Sequence, residues 1–183
     1  MIGIPKSGYY KCPRCAQFIY SSHDSHGCVI HHTYGFNMHN DRYWKLNDGG
    51  IVIHCPKCDF VDFEEKFEQI YDYKREDLAF SKMQKGEKFS RMASKLETWG
   101  KLKEATELQL GAVWFTQRES ANYVPETKKL LKLIVDSLGK EKYEPLKQAE
   151  YLNLGINLCH QLDDSKSLEK LDLIGKKLGF IEE

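Results

Sequence analysis

Two copies of one four-residue pattern, Cys-Pro-basic-Cys, limit what this chain can fold into more than any other feature. The first copy is Cys12-Pro-Arg-Cys15 and the second is Cys55-Pro-Lys-Cys58, with 39 residues between Cys15 and Cys55. Each copy predicts a tight turn that presents two sulfurs to one point, and four thiolates at about 2.3 Å close a tetrahedral zinc site. The predicted zinc ligands are Cys12, Cys15, Cys55 and Cys58.

Two other uses of paired cysteines fit the sequence less well. A redox Cys-x-x-Cys pair normally occurs once, at the start of a helix near a βαβ pattern, and the sequence predicts no such context. An iron–sulfur cluster can also use four cysteines, but paired turns flanked by strands favour zinc. With sulfur in all four positions, the zinc has no open site for a substrate. We therefore predict a structural metal that contributes on the order of 10 kcal/mol to folding.

Composition sets broad limits on size and partners. The 183 residues, 41% of them hydrophobic, permit one medium domain or two small ones with a real core. The 27 Lys and Arg residues equal the 27 Asp and Glu residues in number, so the formal net charge is zero. Because phosphate neutralisation supplies most of the affinity for nucleic acid, this balance disfavours nucleic-acid binding as the main task and leaves open a local basic patch.

The length of the apolar stretches indicates whether the protein is expected in a membrane or in a secretory compartment. No stretch of the sequence approaches the roughly 20 apolar residues that span a bilayer. The N-terminus, MIGIPKSGYYKC, lacks the charged start and the long apolar run of a secretory signal. We therefore expect a soluble cytoplasmic protein with no membrane partner, in a compartment where cysteines stay reduced and clustered pairs favour metal over disulfide.

The chain changes character about a third of the way along its length. Six of its seven histidines and five of its six cysteines lie within residues 1–60. Apolar alternation in CAQFIY and GIVIHC predicts short strands running into and out of the cysteine turns. Asp62, followed three residues later by a glutamate, is a capping-box pattern that predicts a helix over residues 62–72. We predict a zinc-ribbon module over residues 1–72, which includes this exit helix, and a helical domain over residues 73–183.

The helical domain contains an internal repeat. KLKEATELQLG at residues 101–111 aligns with PLKQAEYLNLG at residues 145–155 at an offset of 44 residues. KLIVDSLG at residues 132–139 aligns with DLIGKKLG at residues 172–179 at an offset of 40. Each unit is predicted to be a helix, a turn and a second helix, and such hairpins usually stack as a small solenoid. The alternative is two helical pairs that are similar only because Leu and Lys are common.

Four glycines mark this repeat. Gly139 and Gly179 follow the last leucine of their units, a place that suits a left-handed helix C-cap. Gly111 and Gly155 lie inside predicted helices, where glycine is less favourable than alanine by about 1 kcal/mol. We therefore expect a neighbouring helix to approach each of these two closely.

One stretch of the repeat, YLNLG at residues 151–155, resembles the aromatic-x-x-Leu-Gly step of tetratricopeptide helices. The unit is longer than the usual tetratricopeptide (TPR) period, and Ser167 stands where that family usually has alanine. The resemblance implies a TPR-like array, which exposes a groove between helical hairpins for a protein partner. We expect an α+β fold, with an N-terminal zinc ribbon of short antiparallel strands followed by an all-α TPR-like helical-hairpin array. The predicted function is a non-enzymatic zinc-binding adaptor.

The segment at residues 21–44 is the strongest candidate for chemistry, because it is rich in histidine. Imidazole and thiolate ligands at this spacing predict a second metal site. Its candidate ligands are His23, His26, Cys28, His31 and His32. The alternative is a polar loop whose histidines form hydrogen bonds or face solvent. The aromatic residues of this module also leave open a nucleic-acid-binding zinc ribbon that stacks on single-stranded bases.

This segment also resembles part of the HNH endonucleases, some of which carry paired Cys-x-x-Cys turns with a histidine-containing catalytic hairpin between them. His31 and His32 lie between the two cysteine pairs, and Gly49-Gly50 precedes the second pair in the same order. The family typically has His or Asn directly after the second pair, where this chain has Asp59. The resemblance implies a metal-dependent nuclease as the runner-up function.

As a whole, the chain is similar to an uncharacterised bacterial family, the domain of unknown function 2225. Its members have an N-terminal CPxC pair, a long insert, a second CPxC pair that runs into a helix start, and then TPR-like helices. The matching stretch is CPKCDFVDFEEKFEQI at residues 55–70, while Ala16 and Asp59 replace the usual glycine after each pair. Aspartate adopts the left-handed conformation more readily than alanine does. The resemblance implies zinc and a helical scaffold and no particular reaction.

Overall fold

A computed structural model describes the backbone of most of the chain, namely residues 6–23, 31–32, 41–42, 52–71 and 78–181. The chain divides into two compact units, an N-terminal unit, Met1–Met92, and a C-terminal unit, Ala93–Glu183. The boundary that the sequence predicts, between residues 72 and 73, lies before this division and stays a prediction. Among the described residues, no helix combines the length and the apolarity needed to cross a membrane.

A four-stranded sheet in the N-terminal unit includes the two strands that flank the first cysteine turn. Its strands are β1 (Lys6–Lys11), β2 (Phe18–His23), β7 (Glu68–Ile70) and β8 (Ala79–Phe80). Their order across the sheet is β7-β1-β2-β8; β1 is antiparallel to both of its neighbours, and β8 is parallel to β2. Tyr10 and Ile19 lie opposite each other in β1 and β2, and both are buried. This face of the sheet therefore forms one wall of the core of the unit.

Two smaller antiparallel pairs account for the other strands among the described residues of the N-terminal unit. Strand β5 (Val52–His54) pairs with β6 (Val61–Phe63), and all three residues of β5 are buried. Strand β3 (His31–His32) pairs with β4 (Asp41–Arg42), with His31 opposite Arg42. The predicted alternation of CAQFIY and GIVIHC is confirmed, because β2 and β5 occupy these stretches. Each cysteine turn thus has a strand before it and a strand after it.

The helix predicted over residues 62–72 is wrong. Strand β6 ends at Phe63, a one-turn 3-10 helix covers Glu64–Lys66, and β7 follows directly. The carboxylate of Asp62 accepts a hydrogen bond from the N–H of Phe63 at 2.9 Å, and so does not cap a helix start. Pairing of β7 with β1, which sets Ile70 opposite Tyr9, completes the sheet. This non-local pairing outweighs the local helical pattern.

The C-terminal unit is helical, as predicted. Five helices follow β8: α1 (Lys85–Thr98), α2 (Leu102–Phe115), α3 (Tyr123–Lys140), α4 (Pro145–Leu162) and α5 (Ser165–Lys177). The division between the two units falls inside α1. Helix α2 packs on α3, α3 packs on α4 and α5, and α4 packs on α5. The two sequence repeats therefore correspond to two helical pairs, α2 with α3 and α4 with α5.

The glycines of the repeat behave differently from one another. A Cβ added to Gly155 would lie 2.8 Å from Leu171 Cδ1, which confirms the expected close approach of a neighbouring helix. Gly179 has a φ of 74°, and Phe180 N–H donates to Gly175 O at 2.9 Å in the bond that ends α5, which confirms this C-cap. The C-cap predicted at Gly139 is wrong, because α3 continues through this residue to Lys140 with helical backbone.

Candidate metal centre

The first cysteine turn connects β1 to β2 and is closed by two backbone hydrogen bonds. Ala16 N–H donates to Cys12 O at 2.9 Å, and Cys12 N–H donates to Gln17 O at 2.9 Å. Ala16 has a φ of 58°, in the left-handed region that alanine adopts at a cost of roughly 1 kcal/mol. Pro13 stands at the second position of the turn, where its fixed φ favours turn formation. The turn places Cys12 and Cys15 on one side.

The second cysteine turn connects β5 to β6 and repeats the same backbone. Asp59 N–H donates to Cys55 O at 2.9 Å, and Cys55 N–H donates to Phe60 O at 2.8 Å. Asp59 has a φ of 57°, so the residue that follows each cysteine pair is left-handed in both turns. Two short stretches far apart in the sequence therefore present their sulfurs in the same way.

The structure brings the four predicted ligands together. Cys12 Sγ lies 3.7 Å from Cys58 Sγ, Cys15 Sγ lies 3.6 Å from Cys55 Sγ, and all four sulfurs lie within 4.8 Å of one another. A tetrahedron of sulfurs at 2.3 Å from a central zinc has edges of about 3.8 Å. The four thiols are free rather than disulfide-bonded. The group can therefore bind one metal ion in a tetrahedral arrangement.

The thiols differ in their affinity for protons. Burial raises the pKa of Cys55 to about 12, and burial also raises the pKa of Cys12. The backbone N–H of Gln17 stabilises the thiolate of Cys15 and lowers its pKa to about 7. Without a metal, the two buried sulfurs therefore keep their protons near neutral pH. A metal ion displaces these protons when it binds, since the thiolate is the ligand.

The buried core of the N-terminal unit is built around these sulfurs. Cys12 and Cys55 belong to its central cluster, together with Tyr10, Ile19, Ile53 and Phe67. The hydroxyl of Tyr10 donates to Glu64 Oε1 at 2.5 Å, so the one polar atom of this buried ring has a partner. A Cβ at Gly8 would lie 2.6 Å from that hydroxyl oxygen, which explains why the position next to the ring is glycine. The candidate metal site and the apolar core therefore share two residues, Cys12 and Cys55.

A network of polar side chains holds the second turn in place. His54 Nε2 lies 3.0 Å from Asp59 Oδ1, and Arg91 donates to Asp59 Oδ2 at 2.5 Å. The other ring nitrogen, His54 Nδ1, lies 2.7 Å from Ser81 Oγ. The hydrogen bond from Arg91, followed by the contact with His54, lowers the pKa of Asp59 below its ordinary value. The side chain of Asp59 therefore links the left-handed corner of the turn to β5 and α1.

Sequence reasoning missed this network. Arg91 is 32 residues from Asp59, and no periodic pattern connects the two positions. The available signal was an aspartate at a corner where glycine adopts the left-handed backbone without strain. His54 is buried with both ring nitrogens in contact with polar atoms. His54 is therefore placed to hold Asp59, and with it the second cysteine turn, in position.

The second predicted metal site lies mostly beyond what the structure describes. His26 and Cys28 are outside the described residues, and for His23, His31 and His32 the backbone alone is described. Among the described side chains, the group of three or more potential ligands close enough to share a metal is the cysteine quartet. The histidine site stays a prediction.

Comparisons with known proteins do not identify a family for this chain. No family model matches the chain, and neither does any curated protein or any solved structure. Function must therefore be argued from the residues themselves.

Proposed function

We propose that the protein is a non-enzymatic, zinc-binding adaptor of the cytoplasm that holds another protein through its helical pairs. The observation that carries this proposal is the sulfur quartet, Cys12, Cys15, Cys55 and Cys58, whose members lie within 4.8 Å of one another. Four protein ligands fill every position of a tetrahedral metal, so none is open to a substrate or an activated water. The metal then serves folding.

Zinc is the metal that fits this ligand set. Thiolates are soft ligands, and a tetrahedral site with four sulfurs is typical of zinc or of iron–sulfur chemistry. Sulfur separations of 3.6 and 3.7 Å agree with one central ion at zinc–sulfur distance. Strands on both sides of each turn favour a zinc ribbon over a cluster-binding loop.

The helical pairs support the adaptor half of the proposal. Two sequence repeats fold as successive helical pairs, and α3 packs on both helices of the pair that follows it. This is how solenoid repeats stack, and TPR-like arrays use the surface between hairpins to bind peptides. We include in the proposal membership of the family of domain of unknown function 2225. The left-handed Ala16 and Asp59, at the places where that family has glycine, support it.

Two measurements test the proposal together. Elemental analysis of the purified chain should find one zinc per molecule, and the affinity-purified full chain should carry a protein partner in a defined stoichiometry. Two zinc ions per molecule would show that the histidine segment forms a second centre. Absence of any partner at stoichiometric level would contradict the adaptor function.

The nuclease is the second candidate, and one observation favours it. Strand β3, His31–His32, pairs antiparallel with β4 between the two cysteine turns, as the histidine hairpin of a zinc-containing HNH enzyme would. Purified protein with Mg²⁺ or Mn²⁺ would then cleave plasmid DNA, and His31→Ala or His32→Ala would abolish the cleavage. Under the adaptor proposal, the wild-type chain leaves the plasmid intact.

A nucleic-acid-binding zinc ribbon makes a different prediction. Its affinity for single-stranded DNA or RNA would fall steeply as salt rises, because binding would release counterions from phosphate groups. The adaptor proposal predicts no electrophoretic mobility shift of such probes, even at low salt.

A further inference from the structure

The four sulfurs of the candidate metal centre belong to residues that differ in their exposure to solvent. Cys12 is 2% exposed, and Cys55 is fully buried. Cys15 and Cys58, in contrast, are half-buried. Each cysteine turn therefore contributes one cysteine that lies inside the core and one that is partly open to solvent.

Short contacts between sulfurs run from one turn to the other. The half-buried Cys58 lies 3.7 Å from the buried Cys12, and the half-buried Cys15 lies 3.6 Å from the buried Cys55, measured between Sγ atoms. Both separations are close to van der Waals contact. The two pairs have no residue in common, so both can react in one molecule. Each half-buried sulfur thus has a buried sulfur of the opposite turn beside it.

Backbone hydrogen bonds close each turn without help from the sulfurs. In the first turn Ala16 N–H donates to Cys12 O, and in the second Asp59 N–H donates to Cys55 O, both at 2.9 Å. A reaction at the sulfurs leaves these hydrogen bonds in place. A metal bound to all four sulfurs adds a link between the two turns, and a disulfide from one turn to the other would supply such a link as well.

Peroxides oxidise thiolates in two steps. The thiolate sulfur attacks one peroxide oxygen, the O–O bond breaks, hydroxide leaves, and the cysteine becomes a sulfenic acid. A second thiolate then attacks that sulfur, the S–S bond forms, and another hydroxide leaves. Four thiolates and two molecules of hydrogen peroxide thus give two disulfides and four hydroxide ions. Because the thiolate is the metal ligand, sulfurs joined in this way release the metal.

We propose that Cys15 and Cys58 are oxidation sites for a peroxide, and that each then forms a disulfide with its buried neighbour, Cys15 with Cys55 and Cys58 with Cys12. This inference rests on the metal-binding half of the proposed function and adds a modification to that site. The oxidised N-terminal unit releases its metal and keeps its two turns linked. Thiols reduce the disulfides again, so the change is reversible in a reducing compartment.

Trypsin can separate all four cysteines of the quartet. It cleaves after lysine and arginine, and the basic residue of each turn, Arg14 or Lys57, lies between the two cysteines. Disulfides within a turn and disulfides between turns therefore give different linked peptides. Cys28 shares a tryptic peptide with Cys15, so the test uses the full chain with Cys28→Ser.

The metal-loaded chain is oxidised with hydrogen peroxide, the remaining thiols are blocked, and mass spectrometry identifies the linked peptides. The peptide of Cys12 should be joined to that of Cys58, and the peptide of Cys15 to that of Cys55. Zinc release, followed with a chromogenic chelator, should accompany these linkages, and dithiothreitol should remove them and restore zinc binding. Linkage within a turn, any other pairing, or oxidation to sulfinic and sulfonic acids without disulfides would overturn the proposal.

The site of attack is tested separately. Dimedone traps sulfenic acids, and in excess it competes with the thiol that would form the disulfide. Its adducts should form on Cys15 and Cys58. Adducts on Cys12 or Cys55 instead, or no adduct at all, would contradict the assignment of the half-buried cysteines as the oxidation sites.

Hydrogen exchange compares two ways of removing the metal. The oxidised chain and a reduced chain stripped by a chelator both lose their zinc. Protection in β5 and β6 should persist in the oxidised chain and be lost in the stripped chain, because only the oxidised chain keeps a link between the turns. Equal loss of protection in both would show that the disulfides do not replace the metal link, and would contradict the proposal.

These outcomes differ from failure of the proposed function. If the reduced chain contains no zinc, metal binding fails, whatever disulfides the peroxide forms. If the reduced chain contains zinc and the disulfides form within the turns, metal binding stands and only the inference about oxidation fails.

Discussion

The two compact units bury their apolar side chains around different centres. One buried cluster of the N-terminal unit has Cys12 and Cys55 themselves as members. The C-terminal unit instead buries aliphatic side chains from successive helices, among them Leu130, Leu133 and Leu158. If the cysteine quartet binds a metal as proposed, we expect its removal to disrupt the first of these cores and to leave the second intact. We therefore infer that the fold of the N-terminal unit depends on a metal, because two candidate ligands belong to its buried cluster.

The lengths of the elements reinforce this difference. Strands β5 and β6 have three residues each, too short to be stable without further support. Helices α3 and α4 have 18 residues each, and the buried residues of α3 extend from Tyr123 to Leu138. Under the proposed function, the first unit would rely on cross-linking by a metal, and the second on contact area between helices.

The largest expected effect is loss of the metal. A strong chelator, or Cys55→Ser, should abolish hydrogen-exchange protection in β1, β2, β5 and β6, because on the order of 10 kcal/mol of binding free energy is lost. Protection in α3 and α4 should remain. The control is Cys159→Ala, which removes a buried thiol of α4 outside the metal group and should keep the zinc content. Equal loss of protection in both units would contradict the comparison.

A core substitution in the C-terminal unit should have the converse effect. Leu130 is fully buried in α3, and Leu130→Ala should reduce the free energy of unfolding of this unit by about 2–5 kcal/mol through cavity formation. Chemical denaturation followed by helical circular dichroism measures this loss. Zinc release, followed with a chromogenic chelator, should begin at the same denaturant concentration as in the wild type. Earlier release would show that the metal site depends on the helices.

A pair of glycine substitutions should give effects of opposite sign within one unit. Gly155→Ala should destabilise by about 1 kcal/mol, because a Cβ 2.8 Å from the buried Leu171 overpacks the contact by more than helix propensity returns. Gly139→Ala should stabilise by about 0.5–1 kcal/mol, since its Cβ meets no atom within 4 Å and its backbone is helical. Melting temperatures of the two variants, measured side by side, decide this.

The smallest expected effects compare the two cysteine turns. Ala16→Gly should stabilise the N-terminal unit by less than about 0.5 kcal/mol, because relief of the left-handed strain is partly offset by the greater entropy of glycine in the unfolded chain. Asp59→Gly should destabilise the same unit despite the same backbone relief, since it removes the contacts with His54 and Arg91. Resistance of bound zinc to a competing chelator measures both. Identical responses would show that the Asp59 network contributes nothing to the turn.

Local patterns explain which structural predictions succeeded. The cysteine turns, strands β2 and β5, and the helices of the repeat depend on residues within a few positions of one another, and the structure has all of them. The failed helix over residues 62–72 involves a distant partner, whereas the failed C-cap at Gly139 was itself a local prediction. Residues 68–70 of the 62–72 segment form strand β7 because they pair with β1, far away in the sequence, with Ile70 opposite Tyr9. The contact of Arg91 with Asp59 likewise leaves no mark in the local sequence around Arg91.

The position of the two cysteine turns has a consequence for how this protein can vary. A metal that joins them closes the 39 residues between Cys15 and Cys55 into a ring anchored at both ends. The entropy of closing such a ring grows only with the logarithm of its length, by about 0.6 kcal/mol for each doubling. Evolution or an engineer can therefore lengthen or shorten the stretch between β2 and β5 at little expense to the folded state, provided that the two anchors keep their sulfurs and the two strands keep their buried residues.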